Sequence, residues 1–303
     1  LTYLISDEVF EKHRTGETHP ESPERVRVIR EGFQNHPNDW KFVSPEKCDE
    51  SALKTIHKSD YVEKVARYSG QERVLDGDTV LCRDSYEVDR CAVGSALKLG
   101  EMVVEKDNSG FAVLRPPGHH AEADRGMGFC LFNNIALVAE KLSRAGQRPG
   151  IIDIDAHHGN GTQDFFYERA DVFYASFHQY PFFPGSGAAA ETGRGEGEGT
   201  NLNIPLIAGS GWPELQEGWE KIGRKLMGFE PDVLLVSAGF DGHVEDSLTA
   251  LRLTDEAFLK IASDLNEWSK QLCDGKILAL LEGGYNLKVL RDLVPEFVAV
   301  WRE

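Results

Sequence analysis

The segment that most constrains this chain runs Ile151-Ile152-Asp153-Ile154-Asp155-Ala156-His157-His158-Gly159-Asn160-Gly161. Its apolar start reads as a buried strand. Its continuation puts carboxylate, carboxylate and imidazole at alternate positions. Side chains two apart on a strand share a face, so Asp153, Asp155 and His157 are expected along one side of the strand's end. Such groups are costly to keep at the end of a buried strand unless a cation sits among them. Oxygen and nitrogen donors without thiolate suit zinc, manganese or iron.

Two more segments sharpen this. Val233-Leu234-Leu235-Val236-Ser237-Ala238-Gly239-Phe240-Asp241 is a second apolar strand ending in an acid. Phe111-Ala112-Val113-Leu114 leads into Arg115-Pro116-Pro117-Gly118 and the pair His119-His120. In open parallel sheets, functional groups gather beyond the C-terminal ends of the strands. Asp155, His157 and Asp241 are thus expected to converge as three metal ligands with a fourth position open, as at a catalytic zinc.

Apolar strand-like runs recur at 2–5, 41–43, 111–114, 150–155, 172–177, 201–204, 233–238 and 276–281. Amphipathic helical stretches, such as 23–33, 86–104, 131–145, 212–227 and 255–271, fall between many of them. This alternation predicts an α/β fold with a mainly parallel sheet covered by helices on both faces. No internal repeat or linker divides the 303 residues, so one domain spanning 1–303 is expected. The glycine-rich stretch 185–199 lacks the strand–turn–helix context of a phosphate loop and carries Glu196 and Glu198. It is read as a surface loop.

The ordered segments RPPGHHAEADRGMGFCLFNN, DIDAHHGNGTQDFFY, SAGFDGH and LEGGY resemble those of the zinc-dependent histone deacetylase family. The Asn160-Gly161-Thr162-Gln163 continuation is similar to its class II branch and bacterial amidohydrolase members, and THPESPER (18–25) resembles its first active-site loop. The resemblance spans about residues 18 to 287. It implies the eight-stranded arginase/deacetylase fold and hydrolysis of an acylated amine, most simply an acetyl-lysine side chain.

Residue by residue, it implies zinc on Asp155, His157 and Asp241. His119 and His120 become the proton-transfer pair, oriented by Asp153 and Asn160, with base and acid not yet assigned. Many family members carry Asp at the Asn160 position; an amide orients an imidazole without adding negative charge. Tyr285 becomes the oxyanion donor. Gly128, Phe129, Phe183, Gly284 and Leu248 are expected against the substrate, and Asp84 against its backbone. Asp153, Asp155, His157, Ser176 and Phe177 match a structural potassium site, and Phe166, Arg169 and Val172 fall near a second. His158 is expected to be structural.

Other readings stay open. An acetylpolyamine deacetylase would use the same chemistry, and a net charge of −17 would draw polycations. Polyamine-selective relatives, however, place an acid where Leu248 stands, with Glu245 and Asp246 only nearby, and the pocket-narrowing loop insertion of their dimeric forms is missing. A two-manganese ureohydrolase would want acids where Gly159 and His243 stand. A non-catalytic acyl-lysine binder would not need Tyr285. The acidic balance argues against nucleic acid and anionic membrane as partners. Five cysteines without a CxxC pair suggest a reducing compartment, and Cys130 reads as a small buried hydrophobe. No apolar run has membrane-span length, and the start has no secretory pattern. A cytoplasmic location is therefore expected, with oligomeric state open.

Overall fold

In the computed structural model, residues 2–106 and 108–302 are described. Eight strands form one sheet: β1 (Thr2–Ser6), β2 (Lys41–Phe42), β3 (Ser109–Val113), β4 (Pro149–Asp153), β5 (Phe173–Gln179), β6 (Asn201–Leu206), β7 (Val233–Ala238) and β8 (Ile277–Leu281). Their order is β2-β1-β3-β8-β7-β4-β5-β6, and every pairing is parallel. Strands β3, β4, β5, β7 and β8 are buried along their whole length. A parallel sheet covered on both faces needs such runs.

The helices are α1 (Pro23–Asn35), α2 (Glu50–Leu53), α3 (Ser59–Ser69), α4 (Ser85–Lys106), α5 (Asn134–Arg144), α6 (Asn160–Phe166), α7 (Trp212–Phe229), α8 (Asp255–Cys273) and α9 (Leu287–Ala299). Helices α4 and α5 pack together and lie over β1, β3, β8, β7 and β4. Helices α1, α9, α8 and α7 form a chain of contacts that reaches β3, β7, β5 and β6. The expected α/β architecture is present. Helices α2, α3, α6 and α9 lie outside the periodic stretches picked out above.

One boundary differs instructively. Strand β4 ends at Asp153, two residues before the sequence pattern predicts. Carboxylates take over the backbone donors there. Asp153 Oδ1 accepts from the Asp155 N–H (3.2 Å), Asp155 Oδ1 from the His157 N–H (2.8 Å), and Asp241 Oδ1 from the Ala156 N–H (2.8 Å). The chain leaves the ladder because its own acids compete for it.

The strand order sets the position of the site. The β3–α5–β4 connection carries the chain past β8 and β7, which fill the gap later. The segments after β3, β8, β7 and β4 therefore emerge side by side at the centre of the sheet's C-terminal edge. Those segments contain the paired histidines, Tyr285, Asp241 and the Asp155/His157 turn.

Candidate active site

Asp155, His157 and Asp241 meet in a buried cluster whose ligand atoms all lie within 4.8 Å of one another. His157 Nδ1 is 3.1 Å from Asp155 Oδ1 and 2.9 Å from Asp241 Oδ2. Two buried acids and one imidazole form a donor set that wants a cation. Burial disfavours a charge on His157, but Asp241 and Asp155 outweigh it and raise its pKa to about 10. The same donor set suits a divalent metal. The backbone makes room for it: a Cβ at Gly239 or Gly283 would stand 2.1 or 2.5 Å from Asp155 Oδ2.

Asp153 does not join this row. Its Oδ2 lies 3.0 Å from His119 Nδ1 and 3.2 Å from the Tyr174 hydroxyl. The two adjacent histidines thereby acquire opposite characters. Burial works against a charge on His119, but Asp153, Asp155 and Glu282 overcome it and lift its pKa to about 10. Burial, with His119 and His157 nearby, pushes His120 well below its ordinary value. Its Nδ1 bonds to Asn160 Oδ1 at 2.8 Å. The surroundings thus favour the charged form of His119 and the neutral form of His120.

Glu282 accepts from the backbone N–H groups of Gly118 (2.7 Å) and His119 (3.2 Å), tying the histidine turn to the end of β8. Burial raises its pKa to about 7. His119, Cys130 and Glu282 form a second group with metal-compatible atoms. Cys130 is fully buried, and burial raises its thiol well above the usual range. That keeps the thiol protonated, the form that does not ligate.

A cavity of about 280 Å³ opens onto these groups. Its lining includes His119, His120, His157, Tyr285, Phe129 and Phe183. Phe183 is 40 % exposed at the entrance, and its ring lies 5.2 Å from that of His120, edge to face. Phe129 meets Tyr285 edge to face at 6.0 Å. Gly128 has φ +55, and a Cβ there would come within 2.5 Å of the His120 ring. A side chain at that position would be both strained and obstructive. Leu248 also lines the cavity.

The other residues singled out in the sequence lie around the cavity or behind it. Gly283 lines the cavity, while Gly284 lies behind it at φ +114 with its carbonyl held by Arg25. Asp78 lines the cavity and Asp84 does not; the Asp84 carbonyl instead accepts from the Val88 N–H in the first turn of α4. Ser176 stands opposite Asp153 in the β4–β5 register, next to Phe177. Phe166 is the last residue of α6, and Arg169 and Val172 follow in the loop before β5. His158 bonds Ser186 and Gln163 away from the cavity, at 2.8 and 3.0 Å. The 185–199 stretch is loop with one 3-10 turn, Gly195–Gly197.

Sequence reasoning did not single out Phe182, which stacks on His157 at 5.4 Å, or Arg25, Glu282 and Asp78. The DGDT run at 76–79 was the available signal for Asp78, being a turn sequence.

Comparison with known proteins agrees with the geometry. Residues 19–301 match the histone deacetylase domain model. The chain is 36% identical to histone deacetylase 14, chloroplastic, of Arabidopsis thaliana, covering 92% of this chain and 72% of that protein. It is 34% identical to a probable deacetylase of Archaeoglobus fulgidus, covering 95% and 82%. Among solved structures, the HDA15 HD domain superposes with a TM-score of 0.93 at 32% identity, covering 100% of this chain and 90% of that one. Acetylpolyamine aminohydrolase from Burkholderia pseudomallei gives 0.89 at 25% identity, covering 99% and 98%. The chain belongs to the histone deacetylase family, with the arginase/deacetylase fold.

Proposed function

We propose that this chain is a zinc-dependent amidohydrolase that removes a short acyl group, most simply acetyl, from a lysine side chain. One observation carries the reading: His119, His120, His157 and Tyr285 face a single cavity whose walls are Phe129 and Phe183. Asp155, His157 and Asp241 would hold one zinc, which when bound supplies a Lewis acid for the amide carbonyl and acidifies water.

The chain's own groups supply the rest. Phe129 and Phe183 clasp the aliphatic stem of the substrate and exclude water. His120, neutral, takes a proton from the attacking water. Both rings are then cations, and one of them gives its proton to the leaving nitrogen. His119, a cation against Asp153, stabilises negative charge developing beside it. Burial raises the Tyr285 hydroxyl well above its usual pKa even though Arg25 acts the other way. It therefore stays protonated, as an oxyanion donor must. Retention of this full set argues against a mere acyl-lysine binder.

A structural potassium ion belongs to the same reading. Asp153, Asp155, His157, Ser176 and Phe177 are its residues, and the β4–β5 register supports it by setting Asp153 against Ser176. The Burkholderia structure favours acetylpolyamine as a second substrate class. Zinc-loaded protein should be assayed on acetyl-lysine peptide, trifluoroacetyl-lysine peptide and acetylspermidine, with Tyr285→Phe as control. Peptide turnover that collapses in the control supports the proposal. Preference for acetylspermidine moves the substrate to polyamines, and silence on all three overturns both.

A further inference from the structure

Asn160 stands between His120 and Glu122, and its amide can face them only one way. Its Nδ2 lies 2.8 Å from Glu122 Oε1, 3.4 Å from the His120 carbonyl oxygen and 3.6 Å from Met127 Sδ. All three are acceptors, so the NH2 group faces them. The amide oxygen is then the atom 2.8 Å from His120 Nδ1. An acceptor at Nδ1 keeps the proton there, and a neutral ring with that proton presents Nε2 as its acceptor.

Glu122 is itself well anchored. Its N–H donates to the Arg125 carbonyl at 2.8 Å, and its Oε1 also takes the Arg125 guanidinium at 2.6 Å. Its carbonyl accepts from His57 Nδ1 at 2.9 Å, because His57 Nε2 is occupied accepting the Asn133 N–H at 3.0 Å. Glu122 and Asn160 also border a separate cavity of about 540 Å³ on the outer side of the site. A hydrogen-bonded path thus runs from the protein surface to the back of His120 without touching the metal ligands.

We propose that Glu122 is a positioning residue for the reaction. By holding the Asn160 amide in one orientation, it keeps His120 in the tautomer whose Nε2 accepts a proton. Without Glu122 the amide can turn over, present its NH2 group to Nδ1 and move the imidazole proton to Nε2. That tautomer has no acceptor to offer the attacking water. The chain thereby reaches, with an amide and a remote acid, the orientation that an adjacent acid gives directly. The idea rests on the amide-hydrolysis reading for its kinetics, but its structural core does not.

The pair can be reversed, and that is the test. Asn160→Asp sets two carboxylates against each other across a 2.8 Å contact. Adding Glu122→Gln restores a donor facing an acceptor. With full-length zinc-loaded protein and acetyl-lysine peptide, Glu122→Ala and Asn160→Asp should each lower kcat about tenfold or more with KM nearly unchanged. The double variant Glu122→Gln/Asn160→Asp should recover most of that loss. In 15N spectra of the histidine side chains, His120 should carry its proton on Nδ1 in the wild type and shift towards Nε2 in Glu122→Ala. Additive losses in the double variant, or an unchanged tautomer in Glu122→Ala, would overturn the proposal. If the wild type cleaves no amide at all, the functional reading fails, and the spectra still decide the role of Glu122.

Discussion

The Arg25 guanidinium lies 5.0 Å from the centre of the Tyr285 ring and holds the loop that carries it. Its Nε donates to the Gly284 carbonyl at 2.6 Å, and its Nη2 makes a short bond to the Glu282 carbonyl. Its Nη1 meets Glu21 Oε1 at 2.9 Å, and Glu21 also binds Arg115, with all three side chains buried. Burial pushes the Glu21 carboxyl up, but Arg115 and Arg25 outweigh it and hold it at about 2. The first active-site segment thus fixes the last one through a single planar fork.

Arg25→Ala should therefore lower both stability and turnover. Removing one partner of a buried pair costs about 3–5 kcal/mol. Freeing the Tyr285 loop should lower kcat at least tenfold, about 1.4 kcal/mol in the barrier. Arg25→Lys keeps the charge but not the fork, so it should fold better yet recover little kcat. Thermal melts and steady-state kinetics on both variants check this. A Lys variant with full kcat would show that charge alone positions Tyr285.

Acid sensitivity follows from buried neutral histidines remote from the catalytic pair. His57 donates with Nδ1 to the Glu122 carbonyl and accepts with Nε2 from the Asn133 N–H, so it cannot take a second proton without losing a bond, while His178 is held between the Ser176 hydroxyl and the Gly187 carbonyl. Burial lowers His57 and His178 to about 4 and His13 to about 3. In the unfolded chain these groups titrate near 6.5, so between pH 6.5 and about 4 the unfolded state binds more protons. Their stabilising contribution is complete above 6.5 and declines as pH falls towards the folded values. At pH 5 each represents about 2 kcal/mol. Urea midpoints should fall steeply between pH 7 and 5, and His57→Gln should flatten the slope. A flat profile would contradict the neutral state of these rings.

The sequence made the ends of β4 and β7 legible because an apolar run that stops at an acid has few meanings. The alternating pattern alone set Asp153 in a row with Asp155 and His157; only the family resemblance implied that it would serve His119. That division goes with long-range bonds in which Asp155 Oδ2 accepts the Gly283 N–H and Asp241 Oδ1 accepts the Ala156 N–H, each at 2.8 Å. Arg25 was hidden for a related reason. Within α1 it resembles any helix-surface arginine, and only the packing of 21–25 beneath the 282–285 loop buries it. Asp78 and Gly283 line the cavity from turns whose path is set by tertiary contacts, which residue type does not reveal; the sequence reading names Asp84 and Gly284.

One metal per chain is expected. A second ion of the ureohydrolase kind would need acids at 159 and 243. A Cβ at Gly159 would lie 2.2 Å from Asp153 Oδ2, and His243 is turned to Asp255 at 2.9 Å. Elemental analysis after dialysis should therefore give one zinc per chain, and Asp241→Ala should abolish both the zinc and the activity. Chelation should lower the melting temperature of the wild type, since a ligand that binds only the folded state stabilises it. Two tightly held manganese ions would overturn the single-metal reading.

Leu248 offers a direct test of substrate class. It lines the active cavity and is placed by Asp246, whose Oδ1 accepts the Leu248 N–H at 3.0 Å. Asp246 Oδ2 is already committed to the Tyr285 and Asn286 N–H groups, at 2.6 and 2.9 Å. The acid two residues away is thus used to hold the Tyr285 loop, and the side chain at the cavity is apolar. An apolar group there suits a neutral acyl-lysine stem and offers a cationic polyamine no partner at that position, Asp78 being the acid in the same lining. Leu248→Glu should raise kcat/KM for acetylspermidine about tenfold, the effect of roughly 1.4 kcal/mol from one added charge contact. It should leave the acetyl-lysine peptide unchanged or slower. Equal gains on both substrates would mean that Leu248 limits access rather than selecting charge, and a loss on both would place it in the catalytic packing.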